Sequence, residues 1–147
     1  MSKNLPVVVI VGGGFSGLAA AKALKHAPAQ VILMDRTNHH LFQPLLYQVA
    51  TSVLTPGQIA SPIRNILRKQ RNTTVLLGEV TGMDQAGRCV LVSDAGRSNV
   101  RVPYDYLALA TGATYSYFGH DEFRKHAPGF EEPGGRRTDP EQDPWRI

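Results

Sequence analysis

Apolar and polar positions in the first part of the chain fall into blocks that are typical of alternating strands and helices. Residues 7–11 (VVVIV) have no polar position, which predicts a strand buried on both faces of a parallel sheet. Residues 15–25 are rich in alanine and leucine and predict a helix that ends before Pro28. Residues 31–34 predict a second buried strand, which closes at Asp35. This order of elements predicts a βαβ unit.

The next part of the chain has less regular patterns. Residues 38–55 are apolar but contain Pro44, and they predict a loop followed by a short helix. Residues 59–71 have isoleucine and leucine at helical spacing with basic residues between them, and they predict one longer helix.

Three short segments of strand character follow, with glycine-containing turns between or beside them. We predict that Thr74–Leu77, Cys89–Val92 and Asn99–Val102 form a small antiparallel meander. Residues 106–110 (YLALA) return to the pattern of a buried strand. The predicted fold is therefore α/β, a Rossmann-like domain whose parallel sheet carries an inserted antiparallel meander.

Composition and charge narrow the class of protein. The 147 residues are 42% hydrophobic and 19% charged, which is typical of one globular domain. The net charge of +4 is scattered, so we expect no nucleic-acid partner. The chain has one cysteine, which excludes an internal disulfide framework and indicates a reducing compartment. The first apolar run is too short for a signal peptide or a membrane span, and we expect a cytoplasmic location.

The candidate chemistry begins with the glycine loop that follows the first strand. Gly12, Gly14 and Gly17 fit the pattern GxGxxG between a buried strand and an alanine-rich helix. The first glycine permits a tight turn, the second a close approach of a pyrophosphate, and the third close packing of the helix on the strand. The helix N-terminus would present N–H groups to the phosphates. The alternative is a tight turn without a ligand.

Asp35 is the second part of the dinucleotide signal. A carboxylate at the end of the second strand accepts hydrogen bonds from ribose hydroxyls and repels a 2′-phosphate, which disfavours an NADP-type ligand. The alternative is an ordinary aspartate that caps the following turn. These features predict a dinucleotide site but do not separate FAD from NAD.

The order of several motifs resembles a known group of flavoproteins. The run GGGFSGLAAA, Asp35, the meander and ALATGA at the end of the last strand are similar to the FAD domain of flavoproteins with two dinucleotide folds. The stretch HHLFQPLLYQVAT, with PIRNIL and YSYFGHDEF, resembles type II NADH dehydrogenases, which are non-pumping NADH:quinone oxidoreductases. The resemblance covers about residues 6–128.

This resemblance implies a cofactor, two substrates and a set of contacts. FAD would take a hydride from NADH and pass electrons to a quinone. The residues implied to bind FAD lie in the glycine loop, around Asp35, in the segment after it, beside the adenine and near the isoalloxazine: Gly12, Gly13, Gly14, Phe15, Ser16, Gly17, Asp35, Arg36, His39, Gln43, Val80, Ala110, Thr111 and Gly112. No catalytic acid or base is implied.

The positions of the cysteine and histidine residues argue against two other kinds of site, a redox-active cysteine pair and a metal site. The chain has no cysteine between Asp35 and Cys89, so thiol–disulfide catalysis by a cysteine pair after the second strand is excluded. His39 and His40 are adjacent, but no second ligand cluster has suitable spacing, and we predict loop residues near the flavin or its phosphates rather than a metal site.

The resemblance also defines what we expect the chain to lack. Members of the group have a second dinucleotide fold for NADH, a later segment that completes the FAD site, and C-terminal helices that bind the membrane surface and the quinone. We therefore predict an incomplete FAD-binding domain over 1–128 and a tail over 129–147 that differs from the family. Residues 130–147 of this tail (FEEPGGRRTDPEQDPWRI) contain three prolines and show no apolar periodicity.

Two interpretations of the tail remain open. Read one base later, the codons of residues 129–147 permit LKSLEDA, two free positions and IRNRIL, which resembles the continuation of the family. The hypothesis is a shifted reading frame and a truncated protein, and sequencing of the gene tests it. The alternative is a genuine proline-rich disordered tail.

The functional prediction is the FAD-binding portion of an NADH:quinone oxidoreductase, inactive by itself. Two alternatives differ in class: another FAD-dependent oxidoreductase on the same fold, such as a monooxygenase, and a non-enzymatic orphan fragment that does not hold the cofactor.

Overall fold

The computed structural model describes residues 5–94, 96–113, 116–120, 122, 123 and 126. The described residues fall into two compact units. The first is built from the chain up to Leu41 together with Ala60–Ala113, and the second from Phe42–Ile59 and the described residues that follow Ala113. None of the helices in the described residues is long and apolar enough to cross a lipid bilayer.

A parallel sheet of four strands forms the centre of the first unit. Its strands are β1 (Val7–Val11), β2 (Gln30–Asp35), β5 (Thr73–Leu77) and β9 (Tyr106–Leu109), in the order β5-β2-β1-β9. The strand β1 pairs with β2 and β9 on its two sides, and the βαβ unit predicted from the sequence is confirmed. The predicted fold class is also confirmed.

Both faces of this sheet are covered, which explains the unbroken apolar runs of β1 and β2. Ile10 and Leu33 point to one face, where they pack against Leu18 of helix α1 (Phe15–Ala23) and Ile63 of α4 (Ile63–Ile66). The alternate side chains of the same strands point to the other face, where they pack against the antiparallel sheet through Val9, Val11, Met34, Val90 and Val92. The core therefore lies on both sides of β1.

The antiparallel meander is present, but its strands differ from those predicted. It consists of β6 (Glu79–Asp84), β7 (Cys89–Asp94) and β8 (Arg97–Pro103) in that order. The segment Thr74–Leu77 was predicted to belong to the meander; this was wrong, because it pairs in parallel with β2. The strand β6 was not predicted, because two of its three less exposed positions are Gly82 and Asp84, which hides the apolar alternation.

The continuous helix predicted over residues 59–71 was also wrong. The chain forms α3 (Pro56–Ile59), a short strand β4 (Ala60–Pro62), and then α4. Pro62 lacks an N–H and disfavours helical geometry at the residue before it, so the helix cannot run through this point. The strand β4 pairs with β3 (His39–Leu41), which was predicted to be loop.

The second unit contains short helical segments. A one-turn 3-10 helix, Gln43–Leu45, leads into α2 (Leu46–Ala50), the short helix predicted after Pro44. Thr55 precedes α3 and donates from its backbone N–H to Oε1 of Gln58 at 2.7 Å, so a side chain stabilises the start of this helix.

Candidate functional site

The glycine loop leaves β1 at the edge of the sheet where the carboxyl ends of three neighbouring strands meet. Gly12 N donates to the carbonyl of Met34, the last but one residue of β2, at 2.7 Å. On the other side, Ala110 N donates to Val11 O at 2.8 Å directly after β9. Hydrogen bonds from both neighbouring strands therefore fix the start of the loop.

Gly12 and Gly17 are required by the packing of the loop itself. Gly12 has a φ of +105°, and a Cβ at this residue would lie 2.2 Å from the carbonyl oxygen of Ala110. A Cβ on Gly17 would lie 1.8 Å from the carbonyl oxygen of Gly12. No side chain fits at either position, so these two glycines allow α1 to pack closely on the sheet.

Gly14 differs from the other two glycines of the pattern. It has a φ of −70°, which any residue adopts, and an added Cβ would have no atom within 4 Å. Neither the backbone conformation nor the packing of the chain therefore requires a glycine at this position. Gly14 is the N-cap of α1, where no side chain caps the helix and no acidic residue lies in the first turn. The open space thus lies beside the positive end of the helix dipole.

The carboxylate of Asp35 fastens this loop to the end of β2. Its Oδ2 accepts a hydrogen bond from Gly13 N at 2.5 Å, and its Oδ1 accepts from Thr37 N at 2.7 Å and from Thr37 Oγ1 at 2.6 Å. A Cβ on Gly13 would lie 2.4 Å from Cδ1 of Ile63, so this residue is enclosed from a second side. The half-buried carboxylate is therefore held in one orientation.

His40 contacts the same loop from the strand β3. Its Nδ1 lies 3.1 Å from the carbonyl oxygen of Gly13, and its ring packs edge-to-face on Phe15 with ring centroids 4.8 Å apart. The start of α1 is thus flanked by a carboxylate on one strand and an imidazole on another.

Comparison with known proteins identifies the group to which this loop and sheet belong. The sequence profile of the pyridine nucleotide-disulphide oxidoreductases matches residues 6–139. The chain belongs to the pyridine nucleotide-disulphide oxidoreductase family.

Two relatives within this family are type II NADH:quinone oxidoreductases of Mycobacterium tuberculosis. Ndh is 56% identical over 124 residues, which cover 84% of this chain and 27% of the relative. NdhA is 52% identical over 124 residues, 84% of this chain and 26% of the relative. The predicted resemblance to type II NADH dehydrogenases is confirmed. The chain spans about a quarter of the length of these relatives.

Solved structures show the same fold. The structure of NDH2 from Plasmodium falciparum in complex with NADH superposes with a TM-score of 0.75 and 24% identity, over 83% of this chain and 25% of that chain. The sulfide:quinone oxidoreductase of Aquifex aeolicus superposes with a TM-score of 0.67 and 24% identity, over 76% of this chain and 25% of that chain.

The structure brings most of the residues predicted to bind the cofactor to one edge of the sheet. Gly12 to Gly17, Asp35 and Ala110 are in mutual contact or adjacent through the contacts above. Phe15 and Ser16 are exposed in the first turn of α1, and Arg36 is exposed directly after Asp35. Thr111 and Gly112 are exposed after β9, and Gly112 has a φ of +74°.

Three predicted residues lie apart from the loop or on other elements. Val80 lies on β6 and packs against the core cluster that contains Val92. Gln43 belongs to the second unit, at the start of the 3-10 helix. His39 lies on β3 next to His40. The roles of these three residues in binding the cofactor stay predictions.

Two contacts at the loop were not predicted. His40, rather than His39, has a ring contact with the loop, and Thr37 holds Asp35. Adjacent residues of a strand point to opposite faces, so only one of two neighbouring histidines can face the loop. Because a loop was predicted over this segment, the sequence did not indicate which of the two histidines faces the glycine loop. The threonine two residues after Asp35 is a local signal that could have been used.

Within the described residues, no cluster of three or more histidine, cysteine, aspartate or glutamate side chains could hold a metal ion. Cys89 is buried on β7, at 3% exposure. Residues 129–147 lie outside the described residues, so the boundary predicted at residue 128 stays a prediction.

Proposed function

We propose that this chain forms the FAD-binding part of a type II NADH:quinone oxidoreductase. The observation that carries the proposal is the contrast between the glycines of the loop. Gly12 and Gly17 are enclosed by backbone atoms, whereas a side chain at Gly14 would meet no other atom of the protein within 4 Å. A residue without a side chain at that point is explained by a ligand that approaches the backbone, as a pyrophosphate does.

The charges around Gly14 suit an anion. The first turn of α1 contains no acidic residue and no side-chain cap, so the positive end of the helix dipole can attract phosphate oxygens. We assign the backbone N–H of Gly14 and the N-terminal end of α1 to the pyrophosphate.

Asp35 would hold the adenosine ribose. An ionised carboxylate accepts about four hydrogen bonds. Three are made to Gly13 and Thr37, which leaves capacity for one ribose hydroxyl. The fixed carboxylate also disfavours a dinucleotide with a 2′-phosphate, because two negative charges would lie together.

FAD, when bound, supplies the hydride and electron chemistry, and the chain contributes position and electrostatics. Relatives that match this chain over about a quarter of their length are named NADH:quinone oxidoreductases. We extend NADH as electron donor and a quinone as acceptor to the whole protein, together with a cytoplasmic location and peripheral membrane association. For the chain alone we propose FAD binding without turnover.

Expression of the full chain and titration with FAD tests the proposal. We expect the flavin absorbance band to shift and flavin fluorescence to change with a saturable dependence on protein concentration. We expect no oxidation of NADH by a soluble quinone analogue with the 147-residue chain. Folded protein that leaves FAD free in solution contradicts the cofactor assignment, and turnover by the chain alone contradicts its proposed inactivity.

A further inference from the structure

Both polar backbone atoms of Gly13 are held by side chains from other strands. Its N–H donates to Asp35 Oδ2 at 2.5 Å, and its carbonyl oxygen lies 3.1 Å from His40 Nδ1. A carbonyl oxygen can only accept a hydrogen bond, so Nδ1 of His40 must carry the proton in this contact. The imidazole is therefore a donor to the loop.

A strand pairing and a ring contact hold His40 in its position. The strand β3 pairs in antiparallel fashion with β4, where His40 is opposite Ser61. The ring of His40 packs edge-to-face on Phe15 at an interplanar angle of 83°, a favourable geometry for two aromatic rings. The paired strand and the ring contact together direct Nδ1 toward Gly13.

The hydrogen bond from His40 has a consequence for the next residue. No cis peptide bond occurs in the described residues, and in a trans peptide the C=O and N–H groups point in opposite directions. A Gly13 carbonyl held toward His40 therefore turns the N–H of Gly14 away from it. A peptide between two glycines is also the one most free to rotate, because neither residue has a Cβ that restricts φ.

We infer that His40 is a positioning residue that holds the Gly13–Gly14 peptide with the Gly14 N–H directed at the pyrophosphate of the cofactor. This inference rests on the proposed FAD site. Without His40, the peptide samples both orientations, and the donor at Gly14 is in place for only part of the time. The loss falls on ligands that carry a pyrophosphate.

Three variants of the full chain test this role. His40→Leu removes the donor and keeps an apolar contact with Phe15, whereas His40→Asn places an amide N–H near the position of Nδ1. His26→Leu, at an exposed histidine after α1, is the matched control. We expect His40→Leu to bind FAD and ADP about tenfold more weakly than the wild type, the loss expected for one neutral hydrogen bond. We expect His40→Asn to restore most of the affinity and His26→Leu to show no change.

Adenosine separates a positioning role from general damage to the site. It has no phosphate, so its dissociation constant should be the same in His40→Leu and in the wild type. Equal weakening of ADP and adenosine overturns the inference, and so does wild-type affinity of His40→Leu for FAD.

The protein without ligand provides an independent test. In ¹⁵N relaxation experiments we expect the Gly14 amide to show exchange broadening in His40→Leu that is absent in the wild type and reduced in His40→Asn. An unchanged Gly14 amide in His40→Leu overturns the inference. If the wild type binds no FAD, the proposed function fails while this measurement still decides the role of His40.

Discussion

The carboxylate of Asp35 accepts a hydrogen bond from the backbone N–H of Gly13 at 2.5 Å, which joins the end of the second strand to the glycine loop after the first. The residue that the sequence pattern assigns to a ribose is thus also part of the support of the loop. Under the proposed function, binding of the ribose and the shape of the glycine loop would be linked through one side chain, and both would depend on its orientation.

Asp35→Asn should lower the stability of the first unit. The asparagine side chain has an NH2 group in place of one of the two carboxylate oxygens. That group would face a hydrogen-bond donor, either Gly13 N or Thr37 N. We expect a loss of about 1–3 kcal/mol in the free energy of unfolding, as for a hydrogen bond to a charged group that becomes unsatisfied. Urea unfolding followed by circular dichroism measures it.

Thr37→Val is the matched control for Asp35→Asn. It removes the contacts of Oγ1 with Asp35 Oδ1 and with the carbonyl oxygen of His39 and keeps the backbone N–H bond to Asp35, so the loss should be at most about 1 kcal/mol. An Asp35→Asn protein with the midpoint of the wild type would show that Asp35 does not support the loop.

Gly17→Ala should disrupt the packing of α1 on the sheet. The new Cβ would lie 1.8 Å from the backbone oxygen of Gly12, which cannot move as a flexible side chain can. We expect a destabilisation of about 3 kcal/mol or more, or failure to fold, as for overpacked cores. Thermal unfolding compares this variant with Gly57→Ala, where an added Cβ has no atom within 4 Å. Equal melting temperatures for the two variants would refute the packing argument.

Asn72→Ala should loosen the end of α1 and the turn that follows. The Nδ2 of Asn72 donates to the carbonyl of Leu24 at 2.9 Å and lies 3.2 Å from Ala29 O and 3.3 Å from Ala27 O. Loss of this donor removes a hydrogen bond from these part-buried carbonyls, although Leu24 O and Ala27 O keep their backbone donors Ala27 N and Ala29 N, and we expect a cost of about 1 kcal/mol. Asn65→Ala, at an exposed residue bonded only to Arg68 by its side chain, should have no measurable effect in the same unfolding experiment.

The meander carries a pH-dependent contact between Asp84 and Arg101. The backbone N–H of Gly87 and then the guanidinium of Arg101 hold the pKa of Asp84 below its ordinary value of 3.8. The carboxylate therefore contributes stability above that value and loses the contribution as the pH falls through its lowered pKa. The melting temperature of Asp84→Asn should fall less steeply than that of the wild type below about pH 4.

Glu79→Gln serves as the control for that pH series, since it removes an exposed carboxylate from the same strand. Parallel acid limbs for the wild type and Asp84→Asn would show that the contact between Asp84 and Arg101 has no role in stability.

The central elements of the fold could be predicted from the sequence because their signals are local. The unbroken β-branched run of β1 indicates burial on both faces, and glycine at 12 and 17 marks the turn between strand and helix. The strand β6 could not be predicted, because Gly82 and Asp84 occupy positions that usually carry apolar side chains. The break at Pro62 was a visible signal, but the helical spacing of the isoleucines around it outweighed it.

The candidate site likewise contains some residues that could be predicted from the sequence and others that could not. Gly14 and Asp35 were predicted from spacing alone. Whether His39 or His40 contacts the loop depends on which face of β3 is directed at it. That face is set by the pairing of β3 with β4, whose residues were predicted to be part of a helix. Contacts that depend on register between distant segments cannot be obtained from periodicity in one segment.

The affinity of Gly14→Asp for FAD decides whether the pyrophosphate lies at the glycine loop. Aspartate is a favoured N-cap residue and the φ of −70° suits it, so the variant should unfold at the temperature of the wild type or above it. The same carboxylate would fill the open space and repel phosphate, so we predict FAD binding at least about tenfold weaker, a difference of about 1.4 kcal/mol. Gly57→Asp, with the same change in charge, should bind FAD as the wild type does. Folded Gly14→Asp that binds FAD with unchanged affinity would contradict the claim that the pyrophosphate lies at this loop.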